Sequence, residues 1–285
     1  MGSRDRLSLR HALALGLAHG PSELLPVSSS AHTILIPWLA GWPYAELDPE
    51  LRKSFEVALH AGTAAALLTD LRSIEHRPRL ATVARAAGTR QALLVALSFI
   101  PPAVAGYTFE QFLQRRLSGP PTIAAGLLLG GAAMALADAR PQAGTHTLEQ
   151  ASVLDGLALG VAQACALVPG VSRSGAVLTA ARARGFSRAD SYTLARRTGL
   201  PVILGAGVLK TGRLLQRTAS GGPPISGALA LGAGTAFLST LAATRLLRRD
   251  SRGEQTAPLL PYALYRGLLS ALVVNRLRRA HNRSA

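Results

Sequence analysis

Gly20-Pro-Ser-Glu-Leu-Leu-Pro-Val-Ser-Ser-Ser-Ala-His32 determines how the surrounding chain must be read. It interrupts an apolar segment with two prolines, a carboxylate at Glu23, three consecutive hydroxyls at Ser28, Ser29 and Ser30, and an imidazole at His32. A lipid-facing helix does not tolerate that much polarity and broken backbone. Irregular chain at membrane depth persists only where protein or a water-filled cavity covers it. The remaining sequence is arranged to supply such cover.

Of the 285 residues, 48% are hydrophobic and 16% charged, with a mean hydropathy of +0.25. Soluble domains carry about 25% charged residues. The apolar residues are gathered in windows near 54–71, 91–108, 121–138, 190–211, 225–247 and 259–275, each reaching or approaching the ~20 residues that cross a bilayer. Several are rich in Ala and Gly, which suits close helix contact in lipid. A soluble Ala-rich helical protein is the competing reading, and six such windows in one chain count against it. A net charge of +16 and a pI near 11.5 raise the question of nucleic acid, but no compact basic domain, stacking platform or finger spacing accompanies them. The arginines fall between the apolar blocks, as anchors to anionic headgroups do. The single cysteine, Cys165, excludes an internal disulfide and reads as inert packing. No small-residue cleavage site follows a clean apolar core, so no removable signal peptide is expected.

In chain order, 11–19 starts a short helix that Pro21 disrupts, and 31–40 resumes a second one ending near Gly41. Each is too short to cross, so the pair reads as a re-entrant hairpin over 11–40. A connection at 42–53 leads to a crossing at 54–71. A basic loop at 72–90 carries Arg72, Arg77, Arg79, Arg85 and Arg90, and crossings at 91–108 (with Pro101-Pro102) and 121–138 follow before a polar linker at 139–151. The chain then repeats. A shift of 144, from Ser28 to Ser172, pairs Leu13 with Leu157, Ala14 with Ala158, Leu15 with Leu159, Gly16 with Gly160, Ala18 with Ala162, Val27 with Val171, Ser28 with Ser172 and Ser30 with Ser174. A hairpin plus three crossings forms one unit, and three is odd. The second unit therefore sits upside down, and inverted repeats bring two broken hairpins together near the midplane. The expected fold is an all-α integral membrane protein forming a single membrane domain over 1–285. Repeat one spans 7–138, and repeat two spans 152–277 with its re-entrant part at 152–182. The loop at 72–90 argues for a cytoplasmic side shared with 246–258, whereas Arg276, Arg278, Arg279 and Arg283 argue against that orientation.

The candidate chemistry lies in the two hairpins. One offers Glu23, Ser28, Ser29, Ser30 and His32, the other Ser172, Arg173 and Ser174. In Pro169-Gly-Val-Ser-Arg-Ser-Gly175, Gly170 and Gly175 let backbone N–H groups approach a ligand, and Arg173 can grip phosphate bidentately. The alternative is a structural ion pair between Arg173 and Glu23. A hydroxyl beside an imidazole and a carboxylate is the arrangement of an activated nucleophile, although Ser28 and Ser30 read equally well as helix caps. Glu56 and His60 share one helix face, either supporting the site or bonding between helices. Asp70 and Asp138 end apolar blocks and read as interfacial. Anion grip, nucleophile and lipid access point to phosphoryl transfer from a membrane-embedded phosphate ester.

Glu23-Leu-Leu-Pro-Val-Ser-Ser-Ser-Ala-His32, Phe55-Glu-Val-Ala-Leu-His60-Ala-Gly, Pro169-Gly-Val-Ser-Arg-Ser-Gly175 and Pro261-Tyr-Ala-Leu-Tyr-Arg266 resemble the signatures of the undecaprenyl-diphosphatase family of the BacA type, in order, from about residue 9 to about 275. The resemblance implies hydrolysis of undecaprenyl diphosphate to the monophosphate carrier of cell-wall synthesis, with bacitracin resistance as a consequence. It also implies a multi-pass protein of the bacterial plasma (inner) membrane that uses a divalent cation, Mg²⁺ or Ca²⁺. The implied partners are a polyprenyl diphosphate and membrane lipids, not nucleic acid, and a homodimer is compatible with the family. By position, Ser29 is the implied nucleophile, Glu23 a base or metal-coordinating carboxylate, His32 an acid/base or phosphate contact, and Arg173 the phosphate clamp. Ser28, Ser30, Ser172 and Ser174 complete a phosphate cradle. Two positions depart from the family pattern. His19 stands where the family has an acidic or amide residue, poorer for a hard cation but able to contact substrate as a second acid/base group; the alternative is a tolerated substitution hydrogen-bonding within the hairpin. Arg196 and Arg197 precede Pro201 where the family is apolar. The alternatives from other functional classes are a lipid-carrier or anion transporter, given the transporter-like repeat, and a non-catalytic membrane partner of wall enzymes.

Overall fold

The computed structural model describes residues 7–75, 89–140, 145–219, 226–249 and 257–284. Among them the regular elements are helices: α1 (Leu9–Leu24), α2 (Ser29–Ala40), α3 (Pro49–Glu75), α4 (Thr89–Leu117), α5 (Pro120–Asp138), α6 (Val153–Cys165), α7 (Arg173–Ala183), α8 (Arg188–Ala219), α9 (Gly227–Arg249) and α10 (Leu260–Ser284). Most of the basic loop at 72–90 and part of the stretch at 246–258 lie outside the described residues.

Among the described residues three helices are long and apolar enough to cross a bilayer: Gln91–Phe109 within α4, Pro120–Asp138 and Gly227–Leu247. The other three expected windows do form helices of sufficient length, with α3 at 27, α8 at 32 and α10 at 25 residues. At about 1.5 Å per residue each exceeds the ~30 Å hydrocarbon core. Their hydropathy is lowered by Glu56 and Asp70, by Asp190, Arg196 and Arg197, and by Arg266. Leu129, Leu136, Leu238 and Leu268 point outward, 69%, 71%, 63% and 72% exposed. Apolar surface on this scale belongs against lipid, and the chain is an integral membrane protein.

Pro21 does not end the first helix as expected; α1 continues through it to Leu24. The Ser22 hydroxyl donates to the carbonyls of Ala18 at 2.8 Å and His19 at 3.0 Å in the same turn, while the helical donor that Pro21 lacks would have served Leu17. In α4 the carbonyl freed by a proline is repaired. Pro102 cannot donate to the carbonyl four residues earlier, and the Gln163 side-chain amide donates to that Ser98 carbonyl at 3.1 Å. Cys165, expected to be packed, is the exposed last residue of α6.

The shift of 144 found in the sequence reappears in the backbone. α1 and α6 begin at residues 9 and 153, and α2 and α7 at 29 and 173. Both short second helices end in the same way. Gly41 (φ 69°) and Gly185 (φ 91°) take the left-handed conformation. Trp42 N–H donates to Pro37 and Phe186 N–H to Ala181, while the two glycine N–H groups donate to Trp38 and Arg182. This is the Schellman stop, in which a Cβ would be strained.

The chain divides into two compact units. The first comprises residues up to Leu24, His32–Ala84 and Leu200–Arg249. Within it α1 and α3 pack on α9, and small residues set the approach. Gly16 and Gly20 face Thr235 and Ser239, and Gly62 faces the Ala233 backbone. The Ser239 hydroxyl donates to the Gly16 carbonyl at 2.9 Å, and Thr63 bonds Thr240 at 3.1 Å. Lipid supplies no hydrophobic drive between helices, so such close packing and interhelical hydrogen bonds hold them together. Phe55, Leu15 and Leu59 fill the core beside them.

The second unit comprises Leu25–Ala31, Arg85–Gly199 and Asp250–Ala285. Here α6 packs on α4 and α10 on α5, with α7 against both α5 and α6. Gly156 and Gly160 meet Leu94, Ser98 and Pro101. Leu159, Val177, Leu178, Met134 and Phe186 form the core. Asp138, expected at the interface, is instead a buried hub. It accepts from Arg182 Nε and Arg188 Nε at 2.9 Å, Arg188 Nη2 at 2.9 Å and Leu259 N–H at 3.0 Å. Burying a carboxylate requires this degree of pairing, so Asp138 ties α5, α7, α8 and the entry to α10 together.

Candidate functional site

Two groups of candidate residues emerge, each within one unit. The first is built on the starts of α2 and α7. The α1–α2 break spans Leu25 to Ser28, with Val27 N–H turning back to the Leu25 carbonyl at 2.9 Å. Ser28 then accepts the Ala31 N–H at 3.4 Å and lies 3.3 Å from the Ser30 hydroxyl. At the start of α7, Ser172 accepts the Gly175 N–H at 3.2 Å and lies 3.1 Å from Ser174. Both sets follow the same register. Ser28 and Ser172 are therefore buried N-caps, as one of the two sequence readings held for Ser28. Their neighbours Ser29, Ser30, Arg173 and Ser174 are only partly buried. The Ser174 hydroxyl donates to the Leu25 carbonyl at 3.0 Å, which joins the break of the first hairpin to the start of α7.

Ser29 and Arg173 occupy equivalent positions, the first residue of α2 and of α7. A helix N-terminus presents unpaired N–H groups and the positive end of the backbone dipole, which attracts anions. A guanidinium there is poorly placed on its own account and well placed for a bound anion. A methyl group on Gly199 would collide with Nη1 of Arg173, so the missing side chain makes room for the guanidinium.

The equivalence breaks down in the backbone of the caps. Ser172 has an ordinary φ of −67°, whereas Ser28, at 75°, is the one non-glycine residue with positive φ among the described residues. Strain of this kind costs on the order of 1–3 kcal/mol and is concentrated at functional sites. It lies beside Ser29, the candidate nucleophile. His32 follows Ser29 by three residues on α2, one turn along the helix.

Sequence reasoning assigned no role to Arg266, which is 1% exposed. Its Nη2 donates to the carbonyls of Gly126 at 3.2 Å and Gly170 at 3.1 Å, fixing the loop that leads into Ser172 and Arg173. Gly130 and Gly175 leave space for its guanidinium. The signal was present, a lone arginine inside an apolar window. Gly199 gave no signal of its own.

The second group is His19 and Glu23, one turn apart on α1, with His60 from α3. One potential ligand atom from each lies within 4.8 Å of the others. The His19 and His60 rings meet edge-to-face with centroids 4.7 Å apart. His60 thus stands beside His19 and Glu23. The fit of this cluster to a resident Mg²⁺ or Ca²⁺ is poor. Those hard cations take oxygen ligands, and two of the three donors here are imidazoles.

The family model described as "Bacitracin resistance protein BacA" matches residues 12–272. Among curated relatives, an undecaprenyl-diphosphatase of Geobacter sulfurreducens is 34% identical over 277 residues, covering 94% of this chain and 98% of its own. One from Alcanivorax borkumensis is 36% identical, covering 92% and 97%, and one from Nitrosococcus oceani is 37% identical, also covering 92% and 97%.

Proposed function

The chain belongs to the bacitracin resistance protein BacA family, and from that membership we infer that it hydrolyses undecaprenyl diphosphate to undecaprenyl phosphate and inorganic phosphate. The observation that carries this reading is a match to diphosphatases running through both hairpins and every candidate residue. It favours hydrolysis over carriage of the lipid. The product is the lipid carrier of cell-wall synthesis, and the chain is a multi-pass protein of the bacterial plasma membrane.

In the proposed mechanism, Ser29 Oγ attacks the terminal phosphorus of the diphosphate, the bond to the bridging oxygen breaks, and the prenyl monophosphate leaves. Water then attacks the phosphoserine and releases inorganic phosphate. His32 takes the hydroxyl proton and returns one to the leaving oxygen. Arg173 and the N–H groups at the starts of α2 and α7 hold the anionic oxygens, electrostatic help that strengthens as charge develops. Ser30 and Ser174 contribute hydroxyl contacts, and Ser28, Ser172, Gly170 and Gly175 shape the two helix starts. Glu23 is carried over as a base or metal-coordinating carboxylate. No step is routed through Mg²⁺ or Ca²⁺.

The inverted repeat is part of the same proposal, with boundaries at 7–138 and 152–277. Two features support it: the helix starts recur at one register, and each repeat lends a helix to the other. α1 packs on α9, and its counterpart α6 packs on α4, the counterpart of α9.

The test is phosphate release from C15–C55 prenyl diphosphates by purified protein. Ser29→Ala and Arg173→Ala should each lose at least ~100-fold, the scale for removing a positioned electrostatic group. A folded wild type that releases no phosphate would refute the assignment.

A further inference from the structure

We propose that His19, Glu23 and His60 form a binding site for a borderline transition-metal dication of the zinc or cobalt class, not for a hard alkaline-earth ion. The His19 side chain carries the inference. It is 2% exposed, and neither Nδ1 nor Nε2 has a hydrogen-bond partner. A buried imidazole with both nitrogens unsatisfied is costly unless something else takes a lone pair. The residue at the same register in the second hairpin, Gln163, is equally buried at 2% and donates its amide to the Ser98 carbonyl. His19 has no such outlet. What it meets, edge-to-face, is the His60 ring, with Glu23 one helical turn further along.

Two neutral imidazoles and one carboxylate form a donor set suited to zinc and its neighbours, and it leaves a further position open. Bonds of about 2.0–2.1 Å to a tetrahedral ion place ligand atoms roughly 3.3 Å apart. The present spread, within 4.8 Å, closes to that by side-chain rotation. α1 and α3 both pack on α9, so the ligands stand on a rigid frame. The inference is independent of the hydrolytic reading, since binding is measured without turnover.

The experiment uses the full chain, purified in detergent and stripped with chelator. Zn²⁺ binding is followed by equilibrium dialysis with elemental analysis, and Co²⁺ binding by its visible ligand-field absorption. We expect one Zn²⁺ per chain, a Co²⁺ spectrum of a low-coordinate nitrogen–oxygen site, and a rise in melting temperature with Zn²⁺ that equimolar Mg²⁺ or Ca²⁺ does not give. His60→Ala and His19→Gln should weaken Zn²⁺ binding at least ~100-fold and abolish the Co²⁺ bands. His19→Glu should move the preference toward Ca²⁺ or Mg²⁺. His146→Ala, a histidine elsewhere in the chain, should change neither. Size-exclusion profiles identify misfolded variants, and the wild-type Co²⁺ spectrum requires no variant. Absence of stoichiometric Zn²⁺ and Co²⁺ binding overturns the proposal. So does binding that survives loss of both His19 and His60, or Mg²⁺ or Ca²⁺ binding to wild type as tightly as Zn²⁺. Loss of phosphatase activity with these binding results intact would refute the hydrolytic reading and leave the metal site standing.

Discussion

At Ser28 the side chain and the backbone act in opposite directions. The hydroxyl caps α2 through Ala31 N–H, while φ at 75° places the residue where a Cβ is disfavoured. The two contributions separate by substitution. Ser28→Gly removes the strain and, at an N-cap, gives up only a few tenths of a kcal/mol, so it should stabilise the chain by about 1 kcal/mol. Ser28→Ala keeps the strain and loses the cap, and should destabilise it by about 1 kcal/mol. Denaturation midpoints in detergent would order the variants Gly, wild type, Ala. Both should lower phosphate release, because the strained turn aims Ser29 and the hydroxyl lies 3.3 Å from Ser30. A glycine variant no more stable than wild type would mean that the left-handed turn costs nothing here.

At the scale of the helix, polar residues determine which helices are joined. Asp138 holds α7 and α8 to the end of α5 through two arginines, and the entry to α10 through the Leu259 N–H. Asp138→Ala would leave Arg182 buried at 6% exposure without its carboxylate, and the expected loss is about 3–5 kcal/mol. A fall in melting temperature well beyond that of an exposed control such as Glu149→Ala is the measurement. The helices and their breaks were legible in the sequence because periodic apolar windows, prolines and the Val-Ser-x-Ser repeat are local signals. The role of Asp138 was not legible, since Arg182 and Arg188 reach it only once α7 and α8 fold back on α5. Pro21 misled for a related reason: a proline need not end a membrane helix where the surrounding structure covers the backbone, and α1 runs through it to Leu24. The candidate site was half visible. Ser29 and Arg173 stood out as polar groups at breaks, whereas the convergence of His60 with His19 depends on how α3 meets α1.

For the whole molecule, the proposed inverted repeat, with three crossings between its hairpins, makes a topological prediction. With Cys165, an exposed thiol, changed to serine, single cysteines at Glu46 and Ala183, just beyond α2 and at the end of α7, should react with an impermeant maleimide from opposite faces of sealed vesicles. Labelling from the same face would sink the inverted arrangement while leaving the family assignment intact.

The packing of α1 on α9 has a consequence for biogenesis. The glycine face around Gly16 and Gly20 is synthesised first, yet its mate with Thr235 and Ser239 is among the last helices to emerge. Until then the ribosome-bound chain holds an unmatched seam in the bilayer, the long-range closure that slows assembly and invites wrong pairings. A truncated first half should thus be unstable when expressed alone and recover when the second half is supplied as a separate polypeptide.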